Sequence, residues 1–237
     1  MTELLYLTDS YLREFTAVVA EQAEGGVVLD RTAFYPQGGG QASDTGTLLD
    51  DDGRQYVVRK VRKVKGKVIH KIDGELPQVG IQVHGVIEWE HRHRLMRTHT
   101  ALHILCGVIW RDYAASVTGG NMEPLKARMD FELESMSAAF SDEVEAKINA
   151  EVAAAHPVRV DILPREEAFQ IPDLIRTKIN LLPESIQEVR VVEIEGLDLQ
   201  ADGGTHVANT REVGRIRVTG HESKGRINKR LRIEIED

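Results

Sequence analysis

The stretch "IQVHGVIEWEHRHRLMRTHTALHILCGVIWRD", residues 81–112, changes its hydrophobic period part-way along. In the first nine residues Ile81, Val83, Ile87 and Trp89 alternate with other residues at period two, as in a half-buried strand. From His91 onward Leu95, Leu102, Leu105 and Ile109 form one helical stripe, and Met96, His99, His103, Cys106 and Trp110 form the next. A β region therefore gives way to a mostly buried helix with a histidine face, which places a domain boundary near residue 90.

Upstream, "GGVVLD", "QYVVRK" and "KVIHKI" are short strand-like runs separated by the turn signals "DDG" and "DGELP". Their even spacing predicts a small β-barrel-like domain over residues 1–90. Downstream, a second helix is expected to open at Ser141 as N-cap, with Asp142 and Glu143 in its first turn. It would bury Val144, Ile148 and Val152 and stop at His156-Pro157. The runs "ARMDFEL", "VRVDIL", "EVRVVEIE", "GRIRVTG" and "LRIEIE" alternate as antiparallel strands do. Residues 91–237 thus read as a two-layer domain of helices against an antiparallel sheet, and the chain as an α+β protein.

At 237 residues the chain is long enough for two domains with cores of their own. Hydrophobic residues make up 41% and charged ones 29%, and no apolar run approaches a membrane span or a secretory leader. The single cysteine, Cys106, rules out an internal disulfide framework, so a cytoplasmic location is expected. The net charge of −8 speaks against a broad nucleic-acid surface, but residues 59–71, "RKVRKVKGKVIHK", hold seven Lys or Arg and no acid. A second basic cluster includes Lys224 and Arg226, so RNA could be held locally.

His99 and His103 lie four apart, one turn of helix, where two imidazoles can share a metal. Thr100 stands where a zinc metalloprotease of the HExxH type carries its glutamate base, so peptide hydrolysis of that kind is disfavoured. Far along the chain, "ADGGTHVANT" at 201–210 puts Asp202 and His206 four apart, with Gly203 and Gly204 read as permitting a tight turn. Brought together, the two motifs supply three imidazoles, the number of protein ligands a catalytic zinc keeps beside an open position. Cys106 is a rival fourth ligand, one turn beyond His103. No GxSxG elbow or Cys-His arrangement competes.

HxxxH followed by a Cys-Gly-Gly-Thr-His turn resembles the zinc signature of the editing domain of alanyl-tRNA synthetase and of its free-standing AlaX relatives. "TAFYPQGGGQASDTG" at 32–46 is similar to the glycine-rich segment that precedes that domain. Length and content resemble the medium-length AlaX form. The resemblance implies an enzyme that binds tRNA(Ala) mischarged with serine or glycine, and hydrolyses the ester with one Zn2+ held by His99, His103 and His206. Where the family motif has Cys this chain has Asp202, which could ligate or accept a hydrogen bond beside the metal. The metal could acidify a bound water or anchor the substrate and polarise its carbonyl; both roles stay open. The resemblance also places Thr118 as a hydroxyl lining the pocket, where it could recognise the serine hydroxyl. Thr205 is a third candidate catalytic residue, by position. Gly38, Gly39 and Gly40 are expected near the pocket mouth or acceptor end, and Lys63, Lys65, Lys224 and Arg226 against RNA. No DNA or membrane partner is expected. The rival readings are an RNA-binding module with a structural metal and a small-metabolite zinc hydrolase.

Overall fold

The period-two segments of the first unit, Met1–Leu95, close into a barrel of six antiparallel strands. The computed structural model describes residues 2–177 and 186–237. In chain order this unit contains β1 (Glu3–Leu4), β2 (Glu14–Ala23), β3 (Gly26–Leu29), β4 (Arg31–Thr32), β5 (Gly46–Asp50), β6 (Gln55–Val64), β7 (Lys67–Ile72) and β8 (Gln82–Ile87). The barrel order is β2-β3-β7-β6-β5-β8, and β8 closes it on β2, while β1 and β4 pair in parallel as a separate two-stranded sheet. Closure removes the exposed edges that an open sheet of these strands would present. Phe15, Ala17 and Val19 of β2 meet Val58, Val61, Val68 and Val83 in the core, and full burial of each valine or phenylalanine contributes about 1.5–3 kcal/mol. Gly85 interrupts the apolar alternation of β8 because the Phe15 ring lies 2.4 Å from where a Cβ would stand.

One core position is a histidine. His70 is fully buried, with Nε2 2.8 Å from Thr32 Oγ1 and Nδ1 3.2 Å from the Val27 carbonyl. A neutral ring satisfies both: Nδ1–H donates to Val27, and Nε2 accepts from Thr32, whose oxygen in turn accepts the Phe34 N–H. Burial pushes the His70 pKa from 6.5 down to about 4. The unfolded chain therefore binds more protons between these values, and stability falls as pH drops through that window. At about 1.4 kcal/mol per unit, roughly 3 kcal/mol is lost between pH 7 and pH 4. Urea midpoints should fall over this range in the native chain, and the slope should be shallower in His70→Gln. Equal slopes would remove His70 as the cause.

The division between units falls inside helix α1 (Trp89–Tyr113), so Trp89 opens the helix and does not end the strand before it. The second unit, Met96–Asp237, continues with β9 (Val117–Glu123), β10 (Lys126–Phe131), α2 (Ala138–Ala154), β11 (Val158–Pro164), the one-turn α3 (Arg165–Ala168), β12 (Glu188–Ile194), β13 (Asp198–Ala201), β14 (Ile216–Gly225) and β15 (Asn228–Ile235). Its strands form two antiparallel sheets, β14-β15-β10-β9 and β11-β12-β13. Leu231, Ile233 and Ile235 of β15 are buried, and α2 packs on β14 through its apolar stripe of Val144, Ile148 and Val152.

Helix α2 begins earlier than its sequence suggests. The N-cap is Ser137, whose Oγ accepts the Phe140 N–H at 3.1 Å. Ser141 lies inside the helix, buried, with its Oγ–H donated to the Ser137 carbonyl at 3.2 Å. Two serines four apart can each cap, and the first to gain a free N–H two or three residues on sets the start.

Candidate metal centre

Helix α1 carries His99 and His103 one turn apart on a buried face, both 6% exposed. Strand β13 leads into the 202–206 turn, which supplies Asp202 and His206. One donor atom from each of His99, His103, Asp202 and His206 lies within 4.8 Å of the other three. Ring centroids are 4.3 Å apart for His99 and His206, 4.6 Å for His103 and His206, and 5.2 Å for His99 and His103.

Hydrogen bonds fix each group. Asp202 Oδ2 accepts the Gly204 N–H at 2.7 Å and lies 3.0 Å from His206 Nε2, while Oδ1 stands 3.5 Å from His99 Nε2. Buried Arg190 donates to the Asp202 carbonyl at 2.9 Å and holds the turn from behind. His206 Nδ1 is 3.2 Å from Thr100 Oγ1, which also accepts the Val207 N–H at 3.2 Å. His103 Nδ1 is 3.0 Å from Asp198 Oδ2. With the Nδ1 atoms so engaged, Nε2 is the atom that His103 and His206 could offer to a metal ion.

Metal ions take neutral imidazole and ionised carboxylate. Burial lowers the pKa of His99 to about 4, with Asp202 only partly opposing it. Burial and neighbouring His99 hold His206 well below the usual imidazole value. Burial opposes protonation of His103 as well, but the hydrogen bond and charge of Asp198 outweigh it and raise its pKa. For Asp202 burial alone would favour the acid, yet His99 and His206 hold it well below the carboxylate range. Three nitrogens and one oxygen at this spacing fit a divalent ion of borderline hardness. Cys106 is not part of the cluster: it is buried and its thiol pKa is pushed up by burial, so it packs as a small protonated hydrophobe.

Residues 4–91 match the family described as tRNA synthetases class II (A), and residues 189–232 match the threonyl and alanyl tRNA synthetase second additional domain. The chain is 40% identical to the alanyl-tRNA editing protein AlaX-M of Methanosarcina acetivorans, with 100% of both chains covered. It is 41% identical to AlaX-M of Saccharolobus solfataricus, with 98% of both covered. The chain belongs to the AlaX-M family. The alanine–tRNA ligase of Pyrococcus furiosus is 38% identical over 92% of this chain but over only 24% of the ligase.

In this AlaX-M member the "DGGTH" turn works differently from its sequence reading. Neither Gly203 nor Gly204 takes a left-handed φ, and a Cβ on Gly203 would meet open space. The Asp202–Gly204 hydrogen bond makes the turn, and glycine backbone freedom is not what shapes it. Thr205 is fully buried in the same turn but outside the donor set. Thr118 lies exposed on β9, its Oγ–H donated to Asn228 Oδ1 at 2.9 Å. Gly38, Gly39 and Gly40 belong to the barrel unit, in an exposed turn where Gly39 and Gly40 have φ of 56° and 85°. Lys63 is the penultimate residue of β6 and Lys65 occupies the following hairpin turn with φ 48°. Lys224 is paired with Glu222 at 2.9 Å, and the Arg226 carbonyl accepts from Lys229. Thr100 and Arg190, which brace the centre, carry no spacing signal that sequence could have used. Among the described residues no helix is long and apolar enough to cross a membrane.

Proposed function

We propose that this chain is a metal-dependent trans-editing deacylase that hydrolyses the ester of serine, and of glycine, on tRNA(Ala) and spares alanine. The observation that carries the reading is the convergence of His99, His103, His206 and Asp202 within 4.8 Å, in a chain with full-length similarity to proteins named for alanyl-tRNA editing. Residues 1–90 are assigned as the glycine-rich RNA-side domain and 91–237 as the deacylase domain, acting in the cytoplasm where translation occurs.

One Zn2+ per chain would be held by His99, His103 and His206, with Asp202 as fourth donor, and would supply Lewis acidity for ester hydrolysis. Asp202, kept ionised by its neighbours, is also the anion against which the substrate ammonium group can rest. Thr118 keeps oxygen lone pairs after donating to Asn228, so it can accept a hydrogen bond from the serine hydroxyl. Thr205, buried and next to His206 in the chain, is assigned by position to orient either that histidine or the substrate. Gly38–Gly40 offer backbone N–H groups, and Lys63, Lys65, Lys224 and Arg226 offer charge, to the acceptor end of the tRNA.

Purified protein offered seryl-, glycyl- and alanyl-tRNA(Ala) tests the reading. A site that hydrogen-bonds a hydroxyl can reject alanine, which lacks it, by on the order of 10⁴, and on the same ground the glycyl ester should be cleaved more slowly than the seryl one. Serine should be released far faster than alanine. Equal rates on the seryl and alanyl esters, or no release from any of the three, would overturn it.

A further inference from the structure

Asp198 is a buried carboxylate, 3% exposed, that stands outside the four-residue donor set. It opens β13 immediately after the β12–β13 turn, where Gly196 has φ 75°. Its Oδ2 is 3.0 Å from His103 Nδ1 and accepts the Gln200 Nε2–H at 2.7 Å. Its Oδ1 faces Arg176 Nε at 3.7 Å, beyond hydrogen-bonding distance, and the Arg176 guanidinium lies 4.6 Å over the Trp110 ring. A carboxyl group so deeply buried is costly unless it is hydrogen-bonded and serves its neighbours. An asparagine would fill the same space.

The approach of this turn to helix α1 depends on Gly107, one turn beyond His103. A Cβ there would stand 2.9 Å from Leu197 Cγ, 3.0 Å from the Leu197 carbonyl oxygen and 3.1 Å from Asp198 Cβ. Only a residue without a side chain lets Asp198 come up against the histidine face. The notch and the carboxylate thus form a single device aimed at one ring nitrogen.

We propose that Asp198 is a positioning residue: by accepting the hydrogen bond of His103 Nδ1–H it fixes the tautomer and ring orientation of His103, presents Nε2 to the cluster, and strengthens metal binding. This rests on the metal-centre reading above. The ring is held by a charged acceptor that is itself anchored by Gln200 and backed by Arg176, so His103 enters the site already oriented. The Nδ1 of His206 faces the neutral hydroxyl of Thr100, so of these two rings only His103 has a carboxylate at its Nδ1.

The test is Zn2+ affinity, by competition with a chromophoric chelator, together with the visible absorption spectrum of the Co2+-loaded protein. Both are recorded for the native chain, Asp198→Asn, Asp198→Ala and Gly107→Ala. Asp198→Asn and Asp198→Ala should bind Zn2+ about 10–100-fold more weakly and give an altered Co2+ spectrum. Gly107→Ala, which moves the turn without removing the charge, should shift both in the same direction. A carboxylate that served only packing would change the unfolding temperature of the metal-free protein and leave the Co2+ spectrum as it was. Native affinity and an unaltered spectrum in Asp198→Asn would overturn the proposal, and this isosteric variant decides the matter should Asp198→Ala fail to fold. Failure of the native chain to bind either ion would instead sink the metal-centre reading and this inference with it.

Discussion

Replacement of His103 or His206 by alanine is expected to remove bound metal and deacylase activity together. Each ring contributes one of only four donor atoms in the cluster, and no other described His, Cys, Asp or Glu stands close enough to take its place. The loss should exceed the 10–100-fold typical of removing a partner outside the ligand set, and it should appear equally in metal content and in the rate of seryl ester hydrolysis. His99→Ala should behave alike. Cys106→Ala is the informative contrast: the thiol is buried, protonated and outside the cluster, so metal content should stay at the native level. Metal analysis of the four purified variants, with circular dichroism to confirm folding, checks this. Retention of a full equivalent of metal by His206→Ala would contradict the assignment.

Arg92→Met should destabilise the barrel unit by about 3–5 kcal/mol, the usual consequence of leaving one partner of a buried ion pair alone. Arg92 and Asp44 are both fully buried. The guanidinium Nε donates to both carboxylate oxygens, at 2.8 and 3.0 Å, and Nη2 pairs with Oδ2 as well. Nη1 and Nη2 also donate to the Ser10 and Ala33 carbonyls, at 2.9 and 2.6 Å, and the Tyr35 N–H donates to Asp44. One arginine at the start of α1 therefore ties down both ends of the glycine-rich segment, with the N-terminal strand connection besides. Removing it strands the Asp44 carboxylate and the Ala33 carbonyl in a buried environment and takes a partner from the half-buried Ser10 carbonyl. Urea unfolding of Arg92→Met and of the double variant Arg92→Met/Asp44→Leu separates the effects. The double variant should recover much of the loss, because the unpaired charge is gone. A single variant within about 0.5 kcal/mol of native would be the behaviour of an ordinary surface site and would remove the pair from the barrel's stability.

Much of this arrangement could be read from periodicity. The change of period near residue 90 announced both the barrel strands and the histidine helix, because core-facing alternation and an i, i+4 stripe are local patterns. His99 with His103, and Asp202 with His206, were legible as pairs for the same reason. What stayed hidden was set by long-range geometry. The division of the second unit into two sheets depends on pairings such as β10 with β15, whose partners are a hundred residues apart. Asp198 lies between two leucines in an ordinary alternating strand, and only the notch at Gly107 shows what it meets. The Ser137 cap was displaced in the sequence reading by Ser141, an equally good capping residue four positions on. Asp44 sat inside a run read for its glycines, while its partner lies 48 residues away.

The most direct single measurement is the rate of serine release from seryl-tRNA(Ala), taken first on the protein as purified, then after chelation, then after one equivalent of Zn2+ is restored. Rapid release that disappears on chelation and returns with the metal is the expected result, with alanyl-tRNA(Ala) left intact throughout. Release that persists undiminished in the metal-free protein would show that His99, His103, Asp202 and His206 serve some purpose other than holding a catalytic ion.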